Sequence, residues 1–156
     1  MPAALTIRVR APARERRAVA VARRALRAFA AALALGPAEL SLWLSGDATL
    51  RRLNRKHRGV DAATDVLSFP AARVPGPIRP LGDLVVSLQM TRRRARELAI
   101  PFDDELRRYL AHGLLHLLGH DHAAHGPARR MAALERRLLG QLGMIDLASG
   151  GKIARP

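Results

Sequence analysis

Two histidines near the end of the sequence have the spacing of a metal-binding pair. His112 and His116 are four residues apart, so on a helix their side chains lie on one face with Cβ atoms ~5–6 Å apart. Two imidazoles at that separation can reach one zinc ion at Zn–N distances of ~2.0–2.1 Å. The pair therefore predicts a metal site on one face of a helix.

A helix stop and a third histidine follow the pair. Gly119 can adopt a positive φ at little cost, which lets the chain turn back so that His122 can approach as a third ligand. Three neutral imidazoles leave one position on zinc open for a water molecule, whose pKa falls toward ~7 in favourable sites. We therefore expect one zinc ion per chain, bound by His112, His116 and His122.

The other histidines are assigned no ligand role, and the residue after His112 argues against one class of zinc enzyme. His120 is interpreted as a spacer, His125 as a surface residue and His57 as a helix-end residue. Zinc peptidases of the His-Glu-x-x-His type carry a glutamate general base directly after the first ligand. Gly113 occupies that position here and has no side chain, so peptide hydrolysis is the least favoured of the zinc-dependent activities.

The charge of the chain favours a polyanionic partner. Lys and Arg number 27 against 13 Asp and Glu, a formal charge of +14. Such a surface attracts nucleic acid first and anionic membranes second. The absence of cysteine excludes disulfide scaffolds and cysteine-based zinc fingers. Aromatic residues make up only 3%, so we expect base stacking to be minor and sequence specificity to be weak.

Hydrophobic periodicity predicts the elements that must position these residues. Strands are expected at about 5–9, 40–44, 65–69 and 84–87, and helices at about 12–35, 47–57, 90–98, 104–118 and 127–142. Asp47, and Asp103 or Asp104, are predicted to cap helices. The segment 74–80 is predicted to be a hairpin loop, because its prolines lack N–H donors. The order of elements predicts an α+β domain with a small sheet.

The fourth predicted helix has a stripe of leucines that is expected to face the core, and the histidine pair lies on its flank. The stripe consists of Leu106, Leu110, Leu114 and Leu117. A length of 156 residues fits one domain. The first residues do not resemble a signal peptide, and arginines interrupt the Ala-rich stretch at 18–35. We therefore expect a cytoplasmic protein without a membrane partner.

Three blocks of the sequence resemble the YbeY family, bacterial metal-dependent endoribonucleases of ribosomal RNA maturation. The first is His-Gly-Leu-Leu-His-Leu-Leu-Gly-His-Asp-His at 112–122. The second combines Leu53-Asn54, Arg58-Gly59 and Thr-Asp-Val-Leu-Ser-Phe-Pro at 64–70, and the third is Gly-Asp-Leu-Val-Val-Ser at 82–87. The resemblance covers about residues 5–145. It departs at His57 and His120, where the family commonly has aromatic residues.

The resemblance implies a mixed sheet of four strands with about five helices, in a domain over residues 1–145 followed by a loose tail at 146–156. It implies zinc on the three histidines named above and a functional Arg58 in the cleft, where a guanidinium can hold phosphate in a bidentate fork. Asp121 is expected either to orient a ligand imidazole or to stabilise the turn, and the first role is preferred. For Asp65 and Asp83, a role at the end of a strand and a role in orienting a ligand histidine both stay open.

The resemblance also implies a substrate and partners. The predicted activity is single-strand-specific, metal-dependent cleavage of ribosomal RNA in ribosome assembly and quality control, with either water or the RNA 2′-hydroxyl as the nucleophile. The expected partners are ribosomal RNA, the small ribosomal subunit, a ribosomal protein and an assembly GTPase. The alternative is a non-catalytic RNA-binding assembly factor whose zinc shapes the fold.

Overall fold

The structure is a computed structural model that describes residues 5–120 and 125–144. Within these residues it has four strands, β1 (Leu5–Arg10), β2 (Ala38–Ser45), β3 (Val66–Pro70) and β4 (Arg79–Ser87). It also has five helices, α1 (Arg16–Ala32), α2 (Asp47–Arg58), α3 (Leu88–Glu97), α4 (Phe102–Leu117) and α5 (His125–Gln141). The predicted tail at 146–156 lies outside the described residues.

The strands form one mixed sheet in the order β1-β2-β4-β3. β1, β2 and β4 are mutually parallel, and β3 pairs antiparallel with β4 at an edge of the sheet. The expected α+β fold, with four strands in a mixed sheet and about five helices, is confirmed. No helix among the described residues has the length and apolar character needed to cross a lipid bilayer.

Alternation along the strands divides the interior into two clusters, because successive side chains point to opposite faces of a sheet. On one face Leu42 and Leu84 belong to the main core with residues of α1, α4 and α5. On the other face Val85 packs with Leu50 of α2 and with Leu67. The helix with the histidine pair therefore covers one face of the sheet, and α2 covers part of the other.

The predicted capping role of Asp47 is wrong. Gly46 is the N-cap of α2, and Asp47 is the first helical residue. The Asp47 carboxylate instead accepts hydrogen bonds from the Ser87 hydroxyl and from Arg93, both at 2.6 Å. The bond from Arg93 is the main reason that the pKa of Asp47 is lowered. The carboxylate that the local sequence predicts to cap α2 therefore pairs with Arg93 of α3.

The predicted cap of α4 is also wrong, since Pro101 holds the N-cap position. Asp103 and Asp104 lie in the first turn, where negative charge interacts favourably with the positive end of the helix dipole. Their carboxylates pair with arginines at 2.9 Å, Asp103 with Arg17 and Asp104 with Arg107. The acidic residues still favour the helix start, but through charge and not through a side-chain cap.

The loop predicted at 74–80 ends earlier than expected, because Arg79 and Pro80 belong to β4. The register with β2 is irregular between Glu39 and Leu40, directly opposite this point. β3 joins only from Gly82 onward, so the proline lies at the start of the strand, where few ladder hydrogen bonds are lost. Proline is tolerated at strand starts and bulges for that reason.

The first helix is also shorter than predicted. It covers Arg16–Ala32 and not 12–35.

Candidate metal centre

α4 holds the histidine pair in the predicted orientation. The leucine stripe is buried, with Leu106, Leu110 and Leu114 fully inaccessible and Leu117 at 5% exposure. His112 lies at the flank, with 34% of its side chain exposed. After the helix, Gly119 adopts φ +93°, as the predicted helix stop requires. The pair is therefore fixed by the core on one side and accessible on the other.

The two imidazoles have a geometry that suits one metal ion. Their Nε2 atoms lie 3.1 Å apart, and the ring planes meet at 73° with centroids 4.6 Å apart. Two nitrogen ligands at adjacent corners of a zinc tetrahedron are separated by ~3.3 Å when each Zn–N distance is ~2.0–2.1 Å. His112 and His116 thus fit two corners of such a site.

The remaining corners are not defined by the described part of the chain. His122, the predicted third ligand, and Asp121, the predicted orienting residue, both lie outside the described residues. Within residues 5–120 and 125–144, no three His, Asp or Glu side chains are grouped as a metal site. The third ligand therefore stays a prediction.

Glu135 on α5 is a site residue that the sequence analysis missed. Its Oε1 lies 2.7 Å from Nδ1 of His112. A carboxylate at this position accepts a hydrogen bond from Nδ1–H, which favours the tautomer whose Nε2 is unprotonated and able to bind metal. Local sequence carries no signal for this contact, because Glu135 lies 23 residues away on another helix.

A cavity of about 320 Å³ lies beside His112. Its walls combine the carboxylates Asp65, Glu105 and Glu135 with the cations Arg108 and Arg136 and with Tyr109, Ala132 and Leu139. Asp65 thus lies in the same cavity as a predicted ligand, and its carboxylate accepts the backbone N–H of Val66 at 2.7 Å. Asp83, in contrast, lines cavities on the opposite face of the sheet.

Glu105 and Tyr109 both hold their protons more tightly in this cavity than in water. Glu105 is only 2% exposed, and burial raises the pKa of its carboxyl, although Arg108 at 3.2 Å opposes the shift. One carboxyl oxygen, Oε2, is buried without a hydrogen-bond partner among the described residues. Burial, with Glu105 and Asp65 nearby, also raises the pKa of Tyr109. The phenol therefore remains a proton donor at neutral pH.

The buried carboxyl of Glu105 predicts a pH-dependent cost to stability. Because its pKa is raised on folding, the folded state holds the proton more tightly, and stability falls as pH rises from the unfolded pKa through the folded pKa. Glu105→Gln has no such titration. We expect the difference in unfolding free energy, Glu105→Gln minus wild type, to be larger at pH 7 than at pH 4. Urea unfolding at both pH values, with EDTA present, measures this difference, and a constant difference would contradict it.

Gly113 explains why this helix carries no glutamate after His112. A Cβ atom at Gly113 would lie 2.9 Å from Leu84 Cδ2 and 3.3 Å from Val66 Cγ2. The Ser68 hydroxyl also donates a hydrogen bond to the Gly113 carbonyl at 3.1 Å. α4 therefore packs so closely on β3 and β4 that an added side chain would force Leu84 to shift, which disfavours the glutamate of the zinc peptidases at this position.

Gly113→Ala is expected to destabilise the fold by ~1–3 kcal/mol, because the added methyl overpacks the interface between α4 and the sheet. Gly140→Ala on α5 is the matched control, since a Cβ there meets nothing within 4 Å. That control should be neutral or stabilising by up to ~1 kcal/mol through helix propensity. Urea unfolding measures both variants. Equal effects of the two substitutions would contradict close packing at Gly113.

The second sequence block has mainly structural roles around Arg58. Asn54 is buried and donates to the Ala62 carbonyl at 3.0 Å, which ties α2 to the chain before β3. Gly59 ends α2 in the left-handed region at φ +70°, which glycine adopts without strain. Arg58 itself is exposed at the last residue of α2, and it does not line the described wall of the cavity at His112.

Comparisons with known proteins agree on one family. The family model described as Endoribonuclease YbeY matches residues 7–143. A relative named Endoribonuclease YbeY from Myxococcus xanthus is 55% identical over 123 residues, 76% of this chain and 42% of the relative. Relatives of the same name from an Anaeromyxobacter species and from Rhizobium meliloti are 52% and 49% identical, over 78% and 70% of this chain.

The chain spans only part of each of these relatives: 42% of the Myxococcus xanthus protein, 63% of the Anaeromyxobacter protein and 67% of the Rhizobium meliloti protein. The solution structure of TM1509 from Thermotoga maritima has a similar fold, with a TM-score of 0.62. It is 24% identical, and the match covers 88% of this chain and 89% of that one. At that identity the likeness supports the fold alone.

Proposed function

Since the chain belongs to the YbeY endoribonuclease family, we propose that it is a zinc-dependent endoribonuclease that cleaves single-stranded ribosomal RNA. The observation that carries the metal dependence is the histidine pair, whose Nε2 atoms lie 3.1 Å apart with Glu135 behind His112. The net charge of +14 supports a polyanionic substrate.

The residues present fit a zinc ion. His112 and His116 would hold it through Nε2, His122 is the proposed third ligand, and Glu135 keeps the His112 tautomer that can bind. A zinc ion held there would act as a Lewis acid, withdrawing charge from a phosphate oxygen or lowering the pKa of a water molecule. Three protein ligands leave room for that chemistry, whereas structural zinc sites usually have four.

The chain's own residues supply substrate binding and protons. The cations Arg108 and Arg136 line the cavity beside His112 and can attract a phosphate. Tyr109 holds its proton at neutral pH and can donate a hydrogen bond in the same cavity. Arg58 is proposed to contact the RNA backbone from the exposed end of α2. These groups bind and orient the phosphodiester and offset its charge.

The setting proposed for this activity is the cytoplasm, in maturation of the small ribosomal subunit. Ribosomal RNA is the proposed substrate, and a ribosomal protein and an assembly GTPase are the proposed protein partners. The family relationship supports these proposals. A pull-down with intact small subunits would test them, and loss of binding after ribonuclease treatment would assign the contact to RNA.

The activity is tested by incubating zinc-loaded protein with single-stranded and duplex RNA of the same sequence. We expect cleavage of the single strand alone, its loss with a chelator and its recovery with zinc. A 2′,3′-cyclic phosphate on the products would identify the 2′-hydroxyl as the nucleophile. If zinc-loaded protein binds the RNA without cutting it, the protein is instead an assembly factor. Cleavage of a peptide substrate would favour a peptidase.

A further inference from the structure

A second cavity, of about 590 Å³, lies on the face of the sheet opposite α4. Trp43 of β2 and Phe69 of β3 line it, and both side chains pack against the small cluster under α2. That face is the one that bears Val85, whereas Leu84 points to the core under α4. The volume falls in the range of ~300–1,000 Å³ that is typical of small-ligand sites.

The aromatic rings of this cavity already contact an arginine and a histidine side chain. The guanidinium of Arg10 lies over the Trp43 ring, 4.0 Å from its centroid. The imidazole of His57 meets the ring of Phe69 edge-on, with centroids 5.1 Å apart. Unpaired bases in protein–RNA complexes stack on aromatic rings and on arginine planes. The cavity therefore combines, on neighbouring strands, the two kinds of surface that an unpaired base uses.

The charges at the rim fit a nucleotide. Arg8 and Arg10 alternate with inward-facing residues of β1 and so share the face of Trp43, to which Arg10 is paired in register. Arg8 is 77% exposed, and its contact with Glu39 at 4.0 Å is weak. Asp83 supplies the opposite charge at the same cavity, where a carboxylate can accept from an exocyclic amino group such as cytosine N4.

The two cavities lie on opposite sides of one edge strand. Ser68 of β3 contacts α4 through the Gly113 carbonyl, and the next residue, Phe69, lines the second cavity. β3 is an edge of the sheet, so an extended RNA strand can pass around it. His57 of the cavity wall lies in the last turn of α2, beside the basic residues Lys56 and Arg58.

We propose that the second cavity binds an unpaired nucleotide of the RNA. Its base stacks on the pair formed by Arg10 and Trp43, its phosphate pairs with Arg8, and Asp83 accepts from the amino group of cytosine. This site rests on the proposed RNA substrate and holds the strand away from the metal centre. It also makes stacking more important than the low aromatic content predicts, because Trp43 and Phe69 line one cavity.

The single tryptophan of the chain makes the proposal directly testable. Trp43 emission is recorded while a hexamer of cytidine ribonucleotides is added in the presence of EDTA, which prevents zinc-dependent cleavage. We expect saturable quenching. The affinity for a labelled hexamer is measured by fluorescence anisotropy. It should fall about tenfold for Trp43→Ala, because one stacked base loses its aromatic partner. Arg8→Ala should weaken binding severalfold and make the dependence of affinity on salt shallower, since one phosphate contact is lost.

Arg16→Ala on α1 is the matched control, because Arg16 is exposed, does not line this cavity and belongs to a helix that packs on the other face of the sheet. Equal losses for Arg8→Ala and Arg16→Ala would overturn the site in favour of general attraction. Binding of the hexamer without a change in Trp43 emission would also overturn it, while leaving the proposed ribonuclease intact. If zinc-loaded protein neither binds nor cleaves RNA, the proposed function fails and the site falls with it.

Discussion

His116→Ala is expected to lower zinc affinity by more than ~100-fold and to abolish RNA cleavage at zinc concentrations that saturate the wild type. Loss of a residue that only orients a ligand typically costs ~10–100-fold in metal affinity or activity, and removal of a ligand should cost more. The alanine removes one of the two Nε2 atoms that lie 3.1 Å apart on this face of α4. Competition with a chromophoric chelator measures the zinc affinity, and gel analysis measures the RNA cleavage.

His120→Ala is the matched control for this substitution. It removes one imidazole just after the helix stop, from a residue that the sequence analysis assigns no ligand role. Zinc affinity and cleavage should stay near wild type. Circular dichroism should confirm that both variants fold, because His116 lies on the flank and not in the leucine core of α4. Full zinc binding by folded His116→Ala would refute the metal centre.

Glu135→Ala is expected to weaken zinc binding by ~10–100-fold, the usual cost of losing the partner of a ligand histidine. The carboxylate lies 2.7 Å from His112 Nδ1, so its removal lets the imidazole rotate and adopt the tautomer that has a proton on Nε2. Glu135→Gln keeps the size and one acceptor oxygen but loses the charge, and its effect should fall near the lower end of that range. Competition with a chelator at neutral pH measures the zinc affinities of wild type, Glu135→Gln and Glu135→Ala.

Glu97→Gln provides the control for a change of charge alone, since Glu97 is 62% exposed on α3 and pairs only weakly with Arg94 at 3.7 Å. Its zinc affinity should match that of wild type. Unchanged affinity in Glu135→Ala would mean that the hydrogen bond to His112 has no part in metal binding. A reduced unfolding temperature with unchanged zinc affinity would assign Glu135 to the packing of α5 on α4.

The close packing at Gly113 and the distant partners of Asp47 illustrate a general limit of sequence patterns. Gly113 was interpreted as an absent general base, and the structure adds the reason, a Cβ position 2.9 Å from a leucine of β4. Asp47 has the residue type and the position of a helix cap, yet Arg93 and Ser87 bind its carboxylate. Local pattern cannot predict which distant side chain competes for a polar group.

Sequence alone determined the features that depend on short separations along the chain. The spacing of His112 and His116, the leucine stripe and the stop at Gly119 follow from the 3.6-residue period of a helix and from the freedom of glycine to adopt positive φ. The number and mixed character of the strands followed from the family resemblance. Tertiary structure alone decided that Glu135 meets His112, that Asp65 and Asp83 lie on different faces of the sheet, and that Trp43 and Phe69 share one cavity. These contacts join elements far apart in sequence, and only the packing of helices on the sheet brings them together.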